Sequence, residues 1–336
     1  MARGFWEKLN RPFFALAPMA NVTDAAFRRI IAKYGKPDVM WTEFVSADGL
    51  ASPEGRGKLI ADFAYTEAER PIVAQIFGAD PKNIYRAAAT IRDLGFDGID
   101  VNMGCPDKNV VHQGAGAALI RTPELAQEIL LAAKRGAGDV PVSVKTRIGD
   151  RENELDAWLP QLLEVEPAAV TIHARTRKEL SLVPARWETV RQAVEIRNRL
   201  GSDALIIGNG DVKSVEDGRK LARESGADGI MVGRGIFGNP WFFAGKTHAD
   251  LELEEVLRVL VEHTELFERI LSQKDFDIMK KHFKAYISGF DGAKALRVKC
   301  MGAKNAAEVE AIIGAWTEKR RRGSLWKRIV SALRGS

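Results

Sequence analysis

Residues 205–233 read LIIGNGDVKSVEDGRKLARESGADGIMVG, and this stretch decides the fold. Two short apolar runs, Leu205–Gly208 and Gly229–Gly233, flank a polar segment that begins at Ser214 and ends before Gly226. Glycine just after a helix commonly caps its C-terminal end. A buried strand, a helix and a second buried strand therefore follow one another, which predicts a β-α-β unit with parallel strands.

The same alternation runs through the first two thirds of the chain. Each apolar run is short and nearly continuous, as expected for strands that are buried on both faces. Eight such units over about 235 residues fit a (β/α)8 barrel, the TIM barrel. A doubly wound open sheet is the alternative, but the first run leads into Ala17-Pro18-Met19-Ala20 without the GxGxxG loop usual in that fold. The runs are Phe13–Pro18, Val39–Phe44, Ile72–Phe77, Gly98–Asn102, Val142–Thr146, Ala169–His173, Leu205–Gly208 and Gly229–Gly233.

Composition narrows the class of protein. No apolar stretch reaches the roughly 18 residues of a membrane span, and Met1–Arg11 lacks the apolar core of a signal peptide. The two cysteines, Cys105 and Cys300, are too few for a disulfide framework. We therefore expect a cytoplasmic protein without a membrane segment.

The net charge of +5 is unevenly distributed along the chain. Residues 1–243 contain equal numbers of basic and acidic side chains, whereas residues 244–336 contain 18 basic and 13 acidic ones. The basic groups concentrate in Lys280–Lys304 and from Glu318 onward. A neutral body with a basic C-terminal part suits a polyanion such as nucleic acid, and a merely solvated basic face is the alternative.

The pattern changes after Pro240, where the strand-like runs stop. Apolar residues recur at helical spacing from Leu251 to about Trp316, which predicts a separate helical domain. The predicted organisation is a barrel over residues 1–243, a helical domain over 244–316 and a basic tail over 317–336. In the tail, five apolar residues have the spacing of one face of a helix, and they are Leu325, Trp326, Ile329, Val330 and Leu333. The tail could therefore be a surface helix, a contact with nucleic acid or a disordered segment.

In a TIM barrel the active site lies where the strands end. Two glycine-rich turns, Gly208–Asp211 and Gly233–Gly235, follow the seventh and eighth runs, which is the usual phosphate site of this fold. Glycine lets the backbone approach a ligand, free N–H groups bind anions, and Arg234 adds a charged donor. These turns predict a phosphate-bearing ligand, with ordinary βα turns as the alternative.

Three polar residues on other strands offer hydrogen bonds to a flat, electron-accepting ring. They are Gln75, Lys145 and His173. A lysine near such a ring stabilises the negative charge that develops when the ring is reduced. One such residue alone usually has a structural role, but three on strand ends favour a ligand site.

The fourth run ends in a cysteine. Cys105 stands between Gly104 and Pro106, where a thiol can act as an acid or a nucleophile. Burial as a small apolar residue is the alternative, and it is the role that we predict for Cys300. The cysteines and histidines show neither CxxC nor HExxH spacing, so we predict no metal site.

These strand-end segments, in this order, resemble the tRNA-dihydrouridine synthase family of flavoenzymes. The resemblance extends from about residue 13 to about residue 312, and its most specific piece is Asn102–Pro106. It rests on Ala17–Asp24, Val73–Gly78, Asp100–Pro106, Val144–Arg147, His173–Arg177, Gly208–Asp211 and Val232–Gly235.

The resemblance implies FMN as the cofactor and NADPH (or NADH) as the reductant. It implies that a uridine flips out of tRNA and is reduced to dihydrouridine, with hydride added at C6 and a proton from Cys105 at C5. The residues implied to hold FMN are Pro18, Met19, Ala20, Gln75, Lys145, His173, Asn209, Gly210, Asp211, Gly233 and Arg234. Those implied to meet uracil or RNA are Asn102, Arg147, Arg175 and Arg177.

The resemblance also implies that the helical domain binds tRNA, through basic segments such as Lys280–Lys284 and Lys294–Lys299. We expect a monomer, and the position of the target uridine is left open. Two features depart from the family pattern. Asn21 stands where the family usually has glycine, although asparagine tolerates a positive φ better than most residues, and Lys319–Arg322 has no counterpart.

Two other functions fit part of the sequence. One is an FMN-dependent barrel that reduces a small molecule, of the dihydroorotate or enoate reductase type, which needs no basic helical domain. The other is a barrel that binds tRNA without catalysis, against which Cys105 and the set of predicted FMN residues argue.

Overall fold

The computed structural model describes the backbone of residues 4–334 and the side chains of residues 4–322. Within those ranges the chain forms two compact units. The first contains residues 4–235 and 242–245, and the second contains residues 236–241 and those from 246 onward. The chain thus passes between the units three times, whereas the sequence predicts a single boundary after residue 243.

Buried parallel strands form the centre of the first unit. Within the described residues they are β1 Phe13–Leu16, β2 Met40–Ser46, β3 Ile72–Phe77, β4 Gly98–Met103, β5 Val142–Arg147, β6 Ala169–His173, β7 Leu205–Asn209 and β8 Gly229–Val232. Neighbouring strands pair in parallel in the order β1-β8-β7-β6-β5-β4-β3-β2. The Leu16 N–H donates to the Val39 carbonyl over 3.0 Å, and the Val39 N–H donates to the Phe14 carbonyl over 3.2 Å. These bonds join β1 to the chain entering β2, so the sheet closes and the predicted (β/α)8 barrel is confirmed.

Helices alternate with the strands. They are α1 Ala25–Tyr34, α2 Ala47–Ala51, α3 Pro53–Leu59, α4 Pro81–Asp93, α5 Lys108–His112, α6 Pro123–Ala137, α7 Leu155–Glu164, α8 Trp187–Arg199 and α9 Val215–Ser225. Short 3-10 helices cover Gly4–Lys8, Ile60–Phe63, Glu67–Glu69, Gly116–Arg121, Arg234–Ile236 and Phe242–Ala244. The C-cap of α9 is the one read from the sequence, because Gly226 has a φ of +75°. At the other end, Ser214 caps the helix by accepting the Asp217 N–H over 3.0 Å.

Apolar side chains close the barrel at the amino ends of the strands. Trp6, in the first 3-10 helix, is buried against the rings of Phe13 and Trp41, with ring centroids 5.8 and 5.9 Å away. Ile207 and Met231 extend the same buried cluster along the barrel interior. The opposite end of the barrel, where the strands finish, is therefore the end at which polar groups can meet a ligand.

The second unit is helical. Its elements are α10 Leu253–Ile270, α11 Lys280–Tyr286, α12 Ala293–Met301 and α13 Ala306–Arg334, with 3-10 helices at His248–Asp250 and Phe276–Met279. Helix α13 continues across the predicted start of the tail at residue 317. The apolar face predicted for Leu325–Leu333 lies outside the residues whose side chains are described. In the described part of the chain, no helix has the length and apolar character needed to cross a membrane.

We predict that Gly229→Ala destabilises the barrel. A Cβ on Gly229 would lie 2.4 Å from Cε2 of Phe13, so the ring must shift within a packed core. Overpacking of this kind costs about 1–3 kcal/mol in the free energy of unfolding, which denaturant titration measures. Gly57→Ala in α3 is the control, because a Cβ there meets no atom within 4 Å. Equal stability of the two variants would contradict the prediction.

Candidate active site

A cavity of about 730 Å3 lies at the carboxyl ends of the strands. It gathers most of the residues that the sequence singles out, although they come from six different strands or the loops after them. Those residues are Pro18, Met19, Asn102, Cys105, Lys145, Arg147, His173, Arg175, Asn209, Gly210, Asp211, Gly233 and Arg234.

Three predicted site residues do not line this cavity. Ala20 is exposed, and the next residue, Asn21, has the positive φ (+54°) that its place in the sequence suggests. Gln75 has no exposed surface and is enclosed within the barrel. Arg177 forms an ion pair with Asp150. Their contacts with a cofactor or with RNA stay predictions.

The turns after β7 and β8 bring backbone close to the cavity. Gly210 has a φ of +138°, and a Cβ there would lie 2.7 Å from the Cβ of Ala185. A Cβ on Gly235 would lie 2.8 Å from the carbonyl oxygen of Val212. Both positions therefore require glycine because neighbouring protein atoms leave no room for a side chain, and both residues line the cavity.

Asp211 organises the cations beside these turns. Its carboxylate accepts a hydrogen bond from Arg234 Nη2 over 2.8 Å, another from Arg175, and a third from the Ala185 N–H over 2.9 Å. Arg234 is more than half exposed, so its remaining donors face solvent and the cavity rim. A carboxylate repels phosphate, so any contact of Asp211 with a phosphate must come from its backbone N–H.

A second cation lies deeper in the cavity. Lys145 Nζ donates to Asn209 Oδ1 over 3.0 Å, and Asn209 Nδ2 donates to the Met231 carbonyl over 2.8 Å. Burial, with help from the nearby Arg147 charge, lowers the pKa of Lys145 to about 8. The ammonium group is thus still mostly protonated at neutral pH, and it can respond to charge on a ligand.

His173 is neutral at neutral pH. Burial, followed by the charge of Lys145, lowers the pKa of His173 well below its usual value. Its Nε2 lies 3.2 Å from Arg175 Nη1, and because a guanidinium only donates, Nε2 must be the acceptor. The ring proton of His173 is therefore on Nδ1.

Two arginines predicted to meet substrate are largely used inside the protein. Arg147 donates through Nε to the Gly104 carbonyl over 2.8 Å, and through Nη1 to the carbonyls of Thr176 and Leu180 over 2.9 and 2.8 Å. Its Nη2 has no acceptor among the described residues, so that nitrogen is the donor left for a ligand.

Arg175 uses all three nitrogens of its guanidinium group within the protein. Its Nε donates to the Val183 carbonyl over 2.6 Å, while Nη1 and Nη2 meet His173 and Asp211. Both arginines are at least 95% buried, so they hold loops at the rim in place. A substrate contact of Arg175 stays a prediction.

Cys105 is half buried at the cavity wall. Its N–H donates to Asn102 Oδ1 over 2.8 Å, and its carbonyl accepts from the Ala117 N–H over 3.0 Å. Gly116, with a φ of +59°, allows this approach, because a Cβ there would lie 2.8 Å from the Cys105 carbonyl oxygen. Burial raises the pKa of the Cys105 thiol, so the group is protonated at neutral pH.

The sequence analysis assigns no role to two charged residues that lie in or near this site. Lys213 lines the cavity beside Asp211. Asp100 is fully buried in the middle of β4 and is bonded to Gln75. A charged residue inside a nearly continuous apolar run was a signal for Asp100, because a buried charge needs partners. Among the described side chains, no group of three or more His, Cys, Asp or Glu is placed to hold a metal ion.

A closed parallel barrel whose strand ends surround a cavity lined by glycine turns, cationic side chains and a half-buried thiol defines a (β/α)8-barrel protein with a candidate active site at that end. Comparison with known proteins narrows this class. A profile of the dihydrouridine synthase (Dus) family matches residues 15–319. The chain is 41% identical over 324 residues to a "Probable tRNA-dihydrouridine synthase 2" of Bacillus subtilis (strain 168), covering 95% of this chain and 98% of the relative.

A "Probable tRNA-dihydrouridine synthase" of Staphylococcus aureus (strain COL) is 39% identical over 318 residues, covering 93% of this chain and 95% of the relative. The chain belongs to the dihydrouridine synthase family, as the resemblance in its sequence indicated.

Solved structures of low identity share the fold. A histamine dehydrogenase from Rhizobium sp. 4-9 superposes with a TM-score of 0.51 at 13% identity, over 75% of this chain and about half (48%) of the dehydrogenase. A morphinone reductase superposes with a TM-score of 0.50 at 13% identity, over 71% of this chain and 87% of the reductase. At this identity the likeness supports the barrel fold alone.

We predict that Cys105 reacts slowly with iodoacetamide at neutral pH. Because burial raises the pKa of its thiol, little reactive thiolate is present, and the alkylation rate should rise with a midpoint above that of a free cysteine. Mass spectrometry of the Cys105 peptide over a pH series measures this rate in the folded protein. A midpoint below that of a free cysteine measured in parallel would contradict the prediction.

Proposed function

We propose that this protein reduces specific uridines of tRNA to 5,6-dihydrouridine, with FMN as its cofactor and NADPH (or NADH) as the reductant. The observation that carries the proposal is Cys105. In a chain of this family, a thiol kept protonated by burial stands at the wall of the cavity, close to the charges of Lys145 and Arg147. We further propose that the protein works as a monomer in the cytoplasm and needs no metal ion.

The side chains and turns that line the cavity suit FMN. Gly210 and Gly235 line the cavity at the turns after β7 and β8, and Arg234 stands beside them with donors left for a phosphate. Deeper in the cavity, Lys145 is a cation fit to meet the electron-rich edge of a reduced ring. Bound FMN supplies the hydride that is added at C6 of the uracil. The other residues proposed to hold it are those named from the sequence.

Cys105 completes the addition across the C5–C6 bond. Its thiol gives a proton to C5, so the S–H bond breaks as the C5–H bond forms and the electron pair stays on sulfur. The resulting thiolate faces the charges of Arg147 and Lys145, which favour it electrostatically. Solvent then returns a proton to the sulfur before the next turnover.

Asn102 is proposed to position the uracil. Its Oδ1 already accepts hydrogen bonds from the N–H groups of Gly104 and Cys105, over 3.1 and 2.8 Å. Its Nδ2 has one hydrogen that is not directed at Gln75, so Asn102 offers a donor to the cavity. A donor suits a carbonyl oxygen of the uracil ring.

The helical unit is proposed to bind the tRNA. Exposed lysines on α11 and α12, among them Lys284, Lys294 and Lys299, give it a positive face. Phosphate contacts of this kind supply affinity and salt dependence without reading sequence. The target uridine then flips out to reach the cavity.

We predict that Cys105→Ala slows dihydrouridine formation by about 10²-fold or more, because a positioned general acid contributes about that much. The protein is reduced with NADPH and mixed with unmodified tRNA, and the gain of two hydrogens is read by mass spectrometry in a single turnover. Cys300→Ala is the matched control, because Cys300 is a fully buried thiol of the helical unit.

A Cys105→Ala variant as fast as the Cys300→Ala control would overturn the role of Cys105. A yellow protein that oxidises NADPH but leaves every tRNA unchanged would instead favour reduction of a small molecule. A colourless protein that still binds tRNA would favour binding without catalysis.

We predict that truncation before Glu318 weakens tRNA binding and reduces its salt dependence. The removed segment carries seven basic groups and one acidic group, and the slope of log K against log salt falls by about 0.7–0.9 for every phosphate that is no longer neutralised. Affinities measured over a salt series test this. Replacement of Lys319–Arg322 by glutamine in the full chain should give part of the same effect. An unchanged slope in the truncated protein would rule out a role of the tail in binding.

A further inference from the structure

Asp100 has no contact with solvent and two strong partners inside the barrel. Its Oδ1 accepts from Ser143 Oγ over 2.6 Å, and its Oδ2 accepts from Gln75 Nε2 over 2.6 Å. Burial raises the pKa of Asp100 to about 6, so the carboxyl group is ionised at neutral pH and above. An ionised carboxylate only accepts hydrogen bonds, and the Gln75 amide must therefore turn its nitrogen toward Asp100.

The orientation of the Gln75 amide group in turn affects the orientation of the Asn102 amide group. With its nitrogen on Asp100, Gln75 presents Oε1 to Asn102, and Asn102 Nδ2 donates to that oxygen over 2.9 Å. Asn102 then presents Oδ1 to the loop after β4, where it accepts the N–H groups of Gly104 and Cys105. Had Asn102 the opposite orientation, its NH2 group would face those two donors and both bonds would be broken.

We infer that Asp100 is a positioning residue for Cys105: as an obligate acceptor it orients the amides of Gln75 and Asn102, and the oriented Asn102 holds the Cys105 loop. The inference rests on the proposed function for its importance to catalysis, but the chain of hydrogen bonds is a property of the protein itself. Asp100 has no exposed surface and does not line the cavity, so it acts only through the two amides.

The orientation also decides what Asn102 can offer a ligand. Both hydrogen-bonding directions of Oδ1 are used by the loop, so only a donor is left for the cavity. The chain of hydrogen bonds from Asp100 to the Cys105 loop therefore leaves Asn102 with a donor, which favours a ring with a carbonyl oxygen at that place over one with a donor there.

Moving the negative charge from position 100 to position 75 tests the inference. In Asp100→Asn, the new amide can either accept from Gln75 or donate to it, so the imposed direction is weakened. In the double variant Asp100→Asn with Gln75→Glu, the charge moves to position 75, where the new carboxylate accepts from the amide nitrogen introduced at position 100 and from Asn102 Nδ2. The orientation of Asn102 toward the Cys105 loop is then the same as in the natural protein.

The deciding readout is alkylation of Cys105 by iodoacetamide in the full-length protein as purified, without tRNA. We expect the rate in Asp100→Asn to rise about threefold to tenfold, the range that loss of one hydrogen bond produces, because a loosened loop exposes the thiol. The double variant should return to the natural rate. Single-turnover reduction of tRNA should fall in Asp100→Asn. Only alkylation is compared in the double variant, because Gln75 is itself among the residues proposed to hold FMN.

Asp228→Asn is the matched control. Asp228 is also a buried carboxylate of the barrel, bonded to Arg11, Arg197 and the Ile206 N–H at the opposite end of the strands. It should leave the alkylation rate of Cys105 unchanged even if it lowers stability.

Unchanged alkylation in Asp100→Asn, or a double variant that reacts as fast as the single one, would overturn the inference. If Asp100→Asn fails to fold, a folded double variant supports it and an unfolded one overturns it. Because alkylation needs no tRNA, these outcomes stand even if the proposed function is wrong: that failure would appear as unchanged tRNA with the natural protein.

Discussion

The hydrogen bonds between β1 and the chain entering β2 are the constraint on which the site depends. An open parallel sheet presents its carboxyl ends along a line, whereas the bonds of Leu16 and Val39 close this sheet into a ring. Residues far apart in the sequence, such as Met19, Cys105 and Arg234, thereby reach one cavity. Each of these three residues follows a different strand of the barrel.

The architecture could be predicted from the sequence because a strand covered on both faces must be apolar along its whole length. The runs read as Ile72–Phe77 and Ala169–His173 are the strands found. Five others differ by one or two residues at one end, and Val39–Phe44 differs at both ends from β2. The cavity residues follow from the same argument, since a polar residue just after a buried strand has only the mouth of the barrel to face. Lys145 and Asn209 are bonded to each other there, from strands that are not neighbours.

The sequence could not reveal where the donors of the buried arginines point. A charged residue at a strand end suggests a ligand contact, and Arg147 and Arg175 do line the cavity. Most of their nitrogens nevertheless bind carbonyl groups of loops whose course depends on the folded chain. The sequence also did not show that the Gln75 amide lies between Asp100 and Asn102, and its contact with the cofactor stays a prediction. Partners across adjacent strands depend on register, and periodicity alone does not give register.

The exact boundary between the two units could not be predicted from the sequence either. Composition changes near Pro240, but the chain returns to the first unit at residues 242–245 before it leaves again. A change in hydrophobic pattern marks where one kind of element stops. Such a change does not show that a short later segment, residues 242–245, belongs to the first unit.

The guanidinium of Arg147 has a consequence for protein engineering. It ties the Gly104 carbonyl, next to Cys105, to two carbonyls of the loop after β6, at Thr176 and Leu180. That loop forms part of the rim and is an obvious segment to exchange between relatives in order to change which RNA is accepted. An exchanged loop of different length would pull on the same guanidinium and so disturb the segment that carries the thiol. A loop exchanged at this rim therefore has to keep the two carbonyl groups in place for Arg147, because both loops are hydrogen-bonded to that one arginine.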